Sequence, residues 1–163
     1  MKRLLWFAVL FAVLVAVAVG FVLYNSMQSG EESHARSEKV ADLLRPILDP
    51  MGRMKNSEYH IFVRKLAHIF EYTVLGMCIG GMFIVLRILT GKRFCFLPII
   101  TAVAIAVLDE YVQSFHGRSG RVKDVLFDSV GALVGLFCVA LVEYLIRKIL
   151  QGRKKHESEI GLQ

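Results

Sequence analysis

The chain has 163 residues, is 55% hydrophobic and carries a formal charge of +6, with a positive mean hydropathy of +0.54. That apolar share exceeds the roughly 45–50% usual for soluble domains, so a membrane protein is expected. The positive charge does not imply nucleic acid, because no zinc spacing, aromatic-basic interleaving or helix-turn-helix context accompanies it; basic residues flanking apolar runs set topology and meet anionic head groups.

The apolar residues come in blocks long enough to cross a hydrocarbon core of about 30 Å as helices, which satisfy their own backbone hydrogen bonds in lipid. The expected fold class is therefore an all-α membrane protein, a bundle of about four transmembrane helices with both termini cytoplasmic. Residues 1–24 are expected to be an N-terminal transmembrane anchor. Ala16-Val17-Ala18 has the small-x-small form that a signal peptidase cleaves, but the apolar run continues to Tyr24, beyond an ordinary signal-peptide core of about 7–15 residues. A retained anchor is the better reading.

Residues 25–61 are polar and mixed in charge, and form the long extramembrane segment. Val40, Leu43, Leu44, Ile47 and Leu48 fall at helical spacing while Pro46 should kink or restart a helix, so the segment reads as a loop, with or without a short helix lying on the bilayer. Residues 62–146 hold three further spans, at about 64–89, 96–115 and 125–146, with a tight Thr90-Gly91-Lys92-Arg93 connection between the first two. Residues 147–163 are a basic tail. Cys78, Cys95 and Cys138 lie in or beside apolar runs and read as small hydrophobes rather than a disulfide framework.

Lys and Arg divide evenly between the two faces. The set comprising Lys2, Arg3, Arg87, Lys92, Arg93 and the tail residues sits in short segments beside span ends, where the positive-inside bias is counted. This places both termini inside.

With that topology the second span begins, the third ends and the fourth begins at the outer face, which brings three polar clusters together. On the second span Arg64, His68, Glu71 and Tyr72 share one helix face, with Lys65 beside them. The third contributes Asp109, Glu110 and Gln113. Arg118 and Arg121 follow in the turn, then Asp124 and Asp128 one turn apart on the fourth. At about 1.5 Å per residue, Asp109 and Glu110 lie roughly 8–9 Å inside the apolar end at Phe115, too deep to face lipid without partners.

Two uses of such a cluster follow from the residue types. A structural one pairs Asp109 and Glu110 with Arg64 and Arg118 and locks the helices together. The functional one is an outward polar pocket binding a polar or phosphate-bearing group through Arg64, Lys65, His68, Tyr72, Gln113, Arg118, Arg121, Asp124 and Asp128. If the protein is an enzyme, the catalytic set is His68, Glu71, Asp109 and Glu110: His68 as acid or base, a carboxylate to orient it, and Arg118 or Arg121 to stabilise anionic oxygen. No Ser or Cys sits in a nucleophile setting.

A metal held by His68, Glu71, Asp109 or Glu110, and Asp128 is disfavoured, because paired His ligands are missing and Arg and Lys are abundant nearby. No metal and no other cofactor is expected. Gly76 with Gly80, and Gly131 with Gly135, have the G-x-x-x-G spacing of close helix packing, here between spans of one chain rather than between two copies.

The run Arg64-Lys65-Leu66-Ala67-His68-Ile69-Phe70-Glu71-Tyr72, followed by Asp109-Glu110-x-x-Gln113, by Gly117-Arg118-Ser119 and by Asp124-Val125 and Asp128-x-x-Gly131, resembles the VanZ-like family. The resemblance covers residues 60–136. Two positions depart from the pattern: Phe115-His116 stands where the family often has a proline, and Asp128 where Asn is common. The resemblance implies a small multi-pass protein of the bacterial cytoplasmic membrane, in a family named for a member that lowers susceptibility to the glycopeptide antibiotic teicoplanin. The expected partners are membrane lipids and a lipid-linked or glycopeptide ligand, with no nucleic acid. A membrane-embedded hydrolase or transferase and a purely structural accessory protein are the alternatives.

Overall fold

The structure is a computed structural model that describes residues 2–116 and 122–160, with the side chains of His34 and of residues 154–160 excepted. Five helices account for its regular structure among the described residues: α1 (Lys2–Ser26), α2 (Gly30–Leu48), α3 (Asn56–Thr90), α4 (Leu97–Phe115) and α5 (Val122–Ile160). Four of them, all but α2, are long and apolar enough to cross a membrane. This is a multi-pass membrane protein, and the expectation of an all-α bundle of about four spans is met.

α3 is the central element. It packs most extensively against α5 and also touches α1, α2 and α4. Its 35 residues rise about 52 Å, well beyond the roughly 30 Å of hydrocarbon, so the helix starts eight residues before the span expected at Arg64. That extra length is used by α2. Tyr59 is fully buried between the two helices, its hydroxyl donates to the Ala41 carbonyl at 3.0 Å, and Arg45 lies 5.4 Å from the centroid of its ring. Ala41, Tyr59 and Val63, with Leu44 and Met54, make a small second core.

The segment before α3 is thus largely helix rather than loop. Ser29 caps α2 by accepting from the Glu32 amide at 3.2 Å, and Glu32 returns the bond to the Ser29 amide, a reciprocal capping box. Pro46 does not break α2. It falls in the last turn, where the lost amide removes one hydrogen bond from a helix about to end. Val40, Leu43, Ile47 and Met51 all remain exposed.

The main core joins Val22 of α1, Tyr72, Leu75 and Ile79 of α3, Ala102 and Ala106 of α4, and Ala132 of α5. Small residues let α3 and α5 come into backbone contact: a Cβ on Gly76 would lie 2.2 Å from the Ala132 carbonyl oxygen, and one on Gly135 would lie 2.1 Å from that of Thr73. The Thr73 hydroxyl, with a single hydrogen to donate, lies 2.7 Å from the Ile69 carbonyl of its own helix and 3.1 Å from the Gly131 carbonyl of α5. Both G-x-x-x-G pairs are spent within the chain, as close packing in lipid requires. At the opposite end of these helices Glu143 of α5 is held by Arg87 of α3 and by Arg147, whose Nε donates at 2.7 Å.

Candidate functional site

One end of the bundle gathers polar side chains from four helices. His68, Glu71 and Tyr72 project from α3, Asp109 and Gln113 lie one turn apart on α4, Asp128 sits two turns into α5, and α1 ends there with Asn25 and Ser26. The spacing of the α3 and α4 groups is the one-face periodicity of a helix. What joins the sets is topology: α1 and α4 finish, and α3 and α5 pass, at this level.

Asp109 and Asp128 are at 0% and 1% exposure. The Asp109 carboxylate meets the Ser26 hydroxyl at one oxygen and accepts from Gln113 Nε2 at 3.0 Å at the other. Ser26 also reaches the Val22 carbonyl at 3.0 Å; having a single hydrogen, it donates to one of the two at a time. His68 Nδ1 stands 3.5 Å from Asp128 Oδ1. Glu71, half-buried, accepts from Asn25 Nδ2 at 3.2 Å. The second oxygen of Asp128 has no hydrogen-bond partner among the described residues, and the hydroxyl of fully buried Tyr72 faces the Asp109 and Asp128 carboxylates.

The cationic partners are fewer than the sequence suggests. Arg64 forms no ion pair with Asp109; among the described residues no Lys or Arg pairs with Asp109 or Asp128. Lys65 turns outward, its ammonium 4.5 Å from the centroid of the Phe127 ring. Asp124, partly exposed, occupies the first turn of α5, where its charge complements the helix dipole. Glu110 is buried beside Asp109. Arg118 and Arg121 lie outside the described residues, so the Glu110–Arg118 pairing does too.

A carboxylate at the centre of a membrane helix costs about 2.5–3.5 kcal/mol even on lenient scales. Two such groups, closed off from solvent and with no lysine or arginine paired to them among the described residues, are an expensive arrangement for helix packing alone. Gly, Ala and Thr serve that purpose a few turns away.

Beside the cluster, between α2 and α3, lies a cavity of about 150 Å³ lined by Asn25, Arg36, Ser37, Arg64, His68 and Glu71, with Gln28, Ser33, Val40, Val63 and Ala67 completing its wall. Gln28 and Arg36 meet in its wall: with the Gln28 amide oriented by its hydrogen-bonding surroundings, its carbonyl accepts from both terminal nitrogens of Arg36 at 2.9 and 3.0 Å. His68 therefore belongs to two environments at once: its ring touches the buried carboxylate side and lines the cavity. Asn25, Ser26 and the α2 face were not anticipated from the sequence. The signal for the first two was present, since they follow directly on an apolar run whose far end the topology puts at this face.

A family model described as VanZ/LLP1 matches residues 11–143. The chain belongs to the VanZ/LLP1 family. The match extends beyond the 60–136 covered by the motif blocks, taking in most of α1 and all of α2, the two elements that supply Asn25, Ser26 and Arg36 to the polar cluster and the cavity beside it. No curated protein and no solved structure matches the chain.

Proposed function

We propose that this VanZ/LLP1 protein acts in the bacterial cytoplasmic membrane, with both termini inside, as a receptor for an anionic or glycosylated head group. The candidate ligands are a membrane lipid, a lipid-linked wall precursor or a lipoglycopeptide such as teicoplanin. The observation that carries this reading is the cavity between α2 and α3, where Arg64 offers a forked donor suited to phosphate or carboxylate and Arg36, its fork linked to Gln28, adds positive charge. Asn25 and His68 add hydrogen-bonding groups. A cavity of that size takes a head-group fragment rather than a whole glycopeptide, so the remainder of the ligand would lie along the outer leaflet. A retained first span fits this reading, because cleavage after Ala18 would divide the face of α1 that carries Phe11 against Gly81 and Val22 in the core.

A second reading is supported by the His68–Asp128 approach of 3.5 Å. An imidazole oriented by a buried carboxylate and open to a cavity can act as acid or base, which would make the protein a hydrolase or transferase for a lipid-linked substrate. The experiment that separates them is mass-spectrometric comparison of envelope lipids and wall precursors from cells with and without the protein. A new or missing species in molar excess over the protein indicates turnover. Stoichiometric retention of one species indicates a receptor, and no difference in either contradicts both.

A further inference from the structure

We propose that His68, Asp109 and Asp128 form a binding site for one divalent metal ion, of the transition-metal class represented by Mn²⁺ and Zn²⁺. One donor atom from each of the three lies within 4.8 Å of the others. Donors bound to a common cation at about 2.0–2.6 Å stand up to roughly 4–5 Å apart, so the three need only small side-chain rotations to share an ion. The donors come from α3, α4 and α5; glycine contacts bring α3 and α5 together at the backbone, and α4 packs against both.

A second observation points the same way independently. Asp128, at 1% exposure, has its second oxygen without a hydrogen-bond partner among the described residues. Polar atoms are seldom buried in this state without a missing partner. A dication supplies one, and it balances two carboxylates in a place where no described lysine or arginine does. Ser26 and Gln113, by holding both oxygens of Asp109, play the part of the outer partners that orient a ligating carboxylate.

The objection raised by the basic residues of the sequence weakens once they are placed: Lys65 is turned to Phe127 and Arg64 to the cavity. One imidazole nitrogen with two carboxylate oxygens suits a borderline metal better than calcium, which takes oxygen ligands. Three protein ligands leave positions open, and His68 sets them beside the cavity. There the ion would take a phosphate or carboxylate oxygen, a role that rests on the head-group reading although the binding of metal does not.

The test uses the full-length protein, stripped with a chelator and placed in phosphatidylcholine nanodiscs. Mn²⁺ is titrated while the free-ion resonance is followed by electron paramagnetic resonance, and Zn²⁺ is added as competitor. We expect one equivalent bound, displaced by Zn²⁺, with affinity at least tenfold weaker in Asp109→Asn, Asp128→Asn and His68→Gln and unchanged in Glu143→Gln. Thermal unfolding of each variant selects those that keep the fold, and one folded variant of the three suffices. No binding above that of empty nanodiscs, or equal binding in a folded cluster variant, overturns the site. Repeating the titration with phosphatidylglycerol separates the two ideas: metal bound without any preference for the anionic lipid keeps the site and contradicts the head-group reading, whereas lipid preference without metal does the reverse.

Discussion

Ser26, the last residue of α1, and Asp109, in the C-terminal half of α4, are 83 positions apart and in contact inside the bundle. The contact makes the first span a wall of the polar site rather than a tether, and it gives a buried carboxylate one of its two described partners. Ser26→Ala removes that partner and leaves Gln113. An unsatisfied buried acceptor costs about 1–3 kcal/mol, so thermal unfolding in detergent should show a loss of that order. Ser26→Thr, which keeps the hydroxyl, should lose less.

The backbone contact between α3 and α5 predicts a sharp contrast among glycines. Gly76→Ala and Gly135→Ala would each press a methyl group against a carbonyl oxygen, forcing the helices apart at a cost of about 1–3 kcal/mol or more. Gly20→Ala, with open space around it, should be neutral or slightly stabilising, since alanine is the better helix former. Unfolding midpoints of the three variants, compared at equal detergent, check this.

Much of the fold could be read from the residues because lipid allows few solutions. Apolar blocks of sufficient length become spans, and four crossings dictate which polar clusters meet. The i, i+4 spacing of Arg64 with His68, Asp109 with Gln113 and Asp124 with Asp128 then predicts faces, and His68, Asp109, Gln113 and Asp128 do come together. Asn25 and Ser26 escaped because a polar pair ending an apolar run has no periodicity of its own; its partners are set by helix packing. Residues 56–63 read as loop, and the α2 segment as a loop with or without a short helix, because their charge density hides a real signal, the Ser29–Glu32 capping box. Pairing Asp109 with Arg64 was plausible on charge alone, but the arginine sits beside the cavity while shorter groups already fill the space around the aspartate.

The exposed apolar stripe of α2 makes a topological prediction. If Val40, Leu43 and Ile47 rest on the bilayer as an interfacial helix does, single cysteines at Leu43 and Ile47, placed in a chain whose three native cysteines are replaced, should resist a membrane-impermeant thiol reagent in nanodiscs and react in detergent-free unfolded controls. Cysteines at Lys39 and Asp42, also exposed, should react in both. Equal labelling of all four positions would lift α2 off the membrane.

The inter-helix contacts of Glu143 should matter less than those of the buried cluster. Its pairing with Arg87 and Arg147 involves partly exposed side chains, and such pairs are generally worth about 0–1 kcal/mol. Glu143→Gln should therefore shift the unfolding midpoint little, and the shift should shrink further as salt is raised.

Native mass spectrometry of the protein released from its own membrane tests the central claim most directly. The cavity at Arg64 and His68 predicts a wild-type protein carrying one bound anionic lipid or wall-precursor species, lost in Arg64→Gln and in His68→Gln at equal abundance and unchanged melting temperature. The same adducts on wild type and both variants would contradict it.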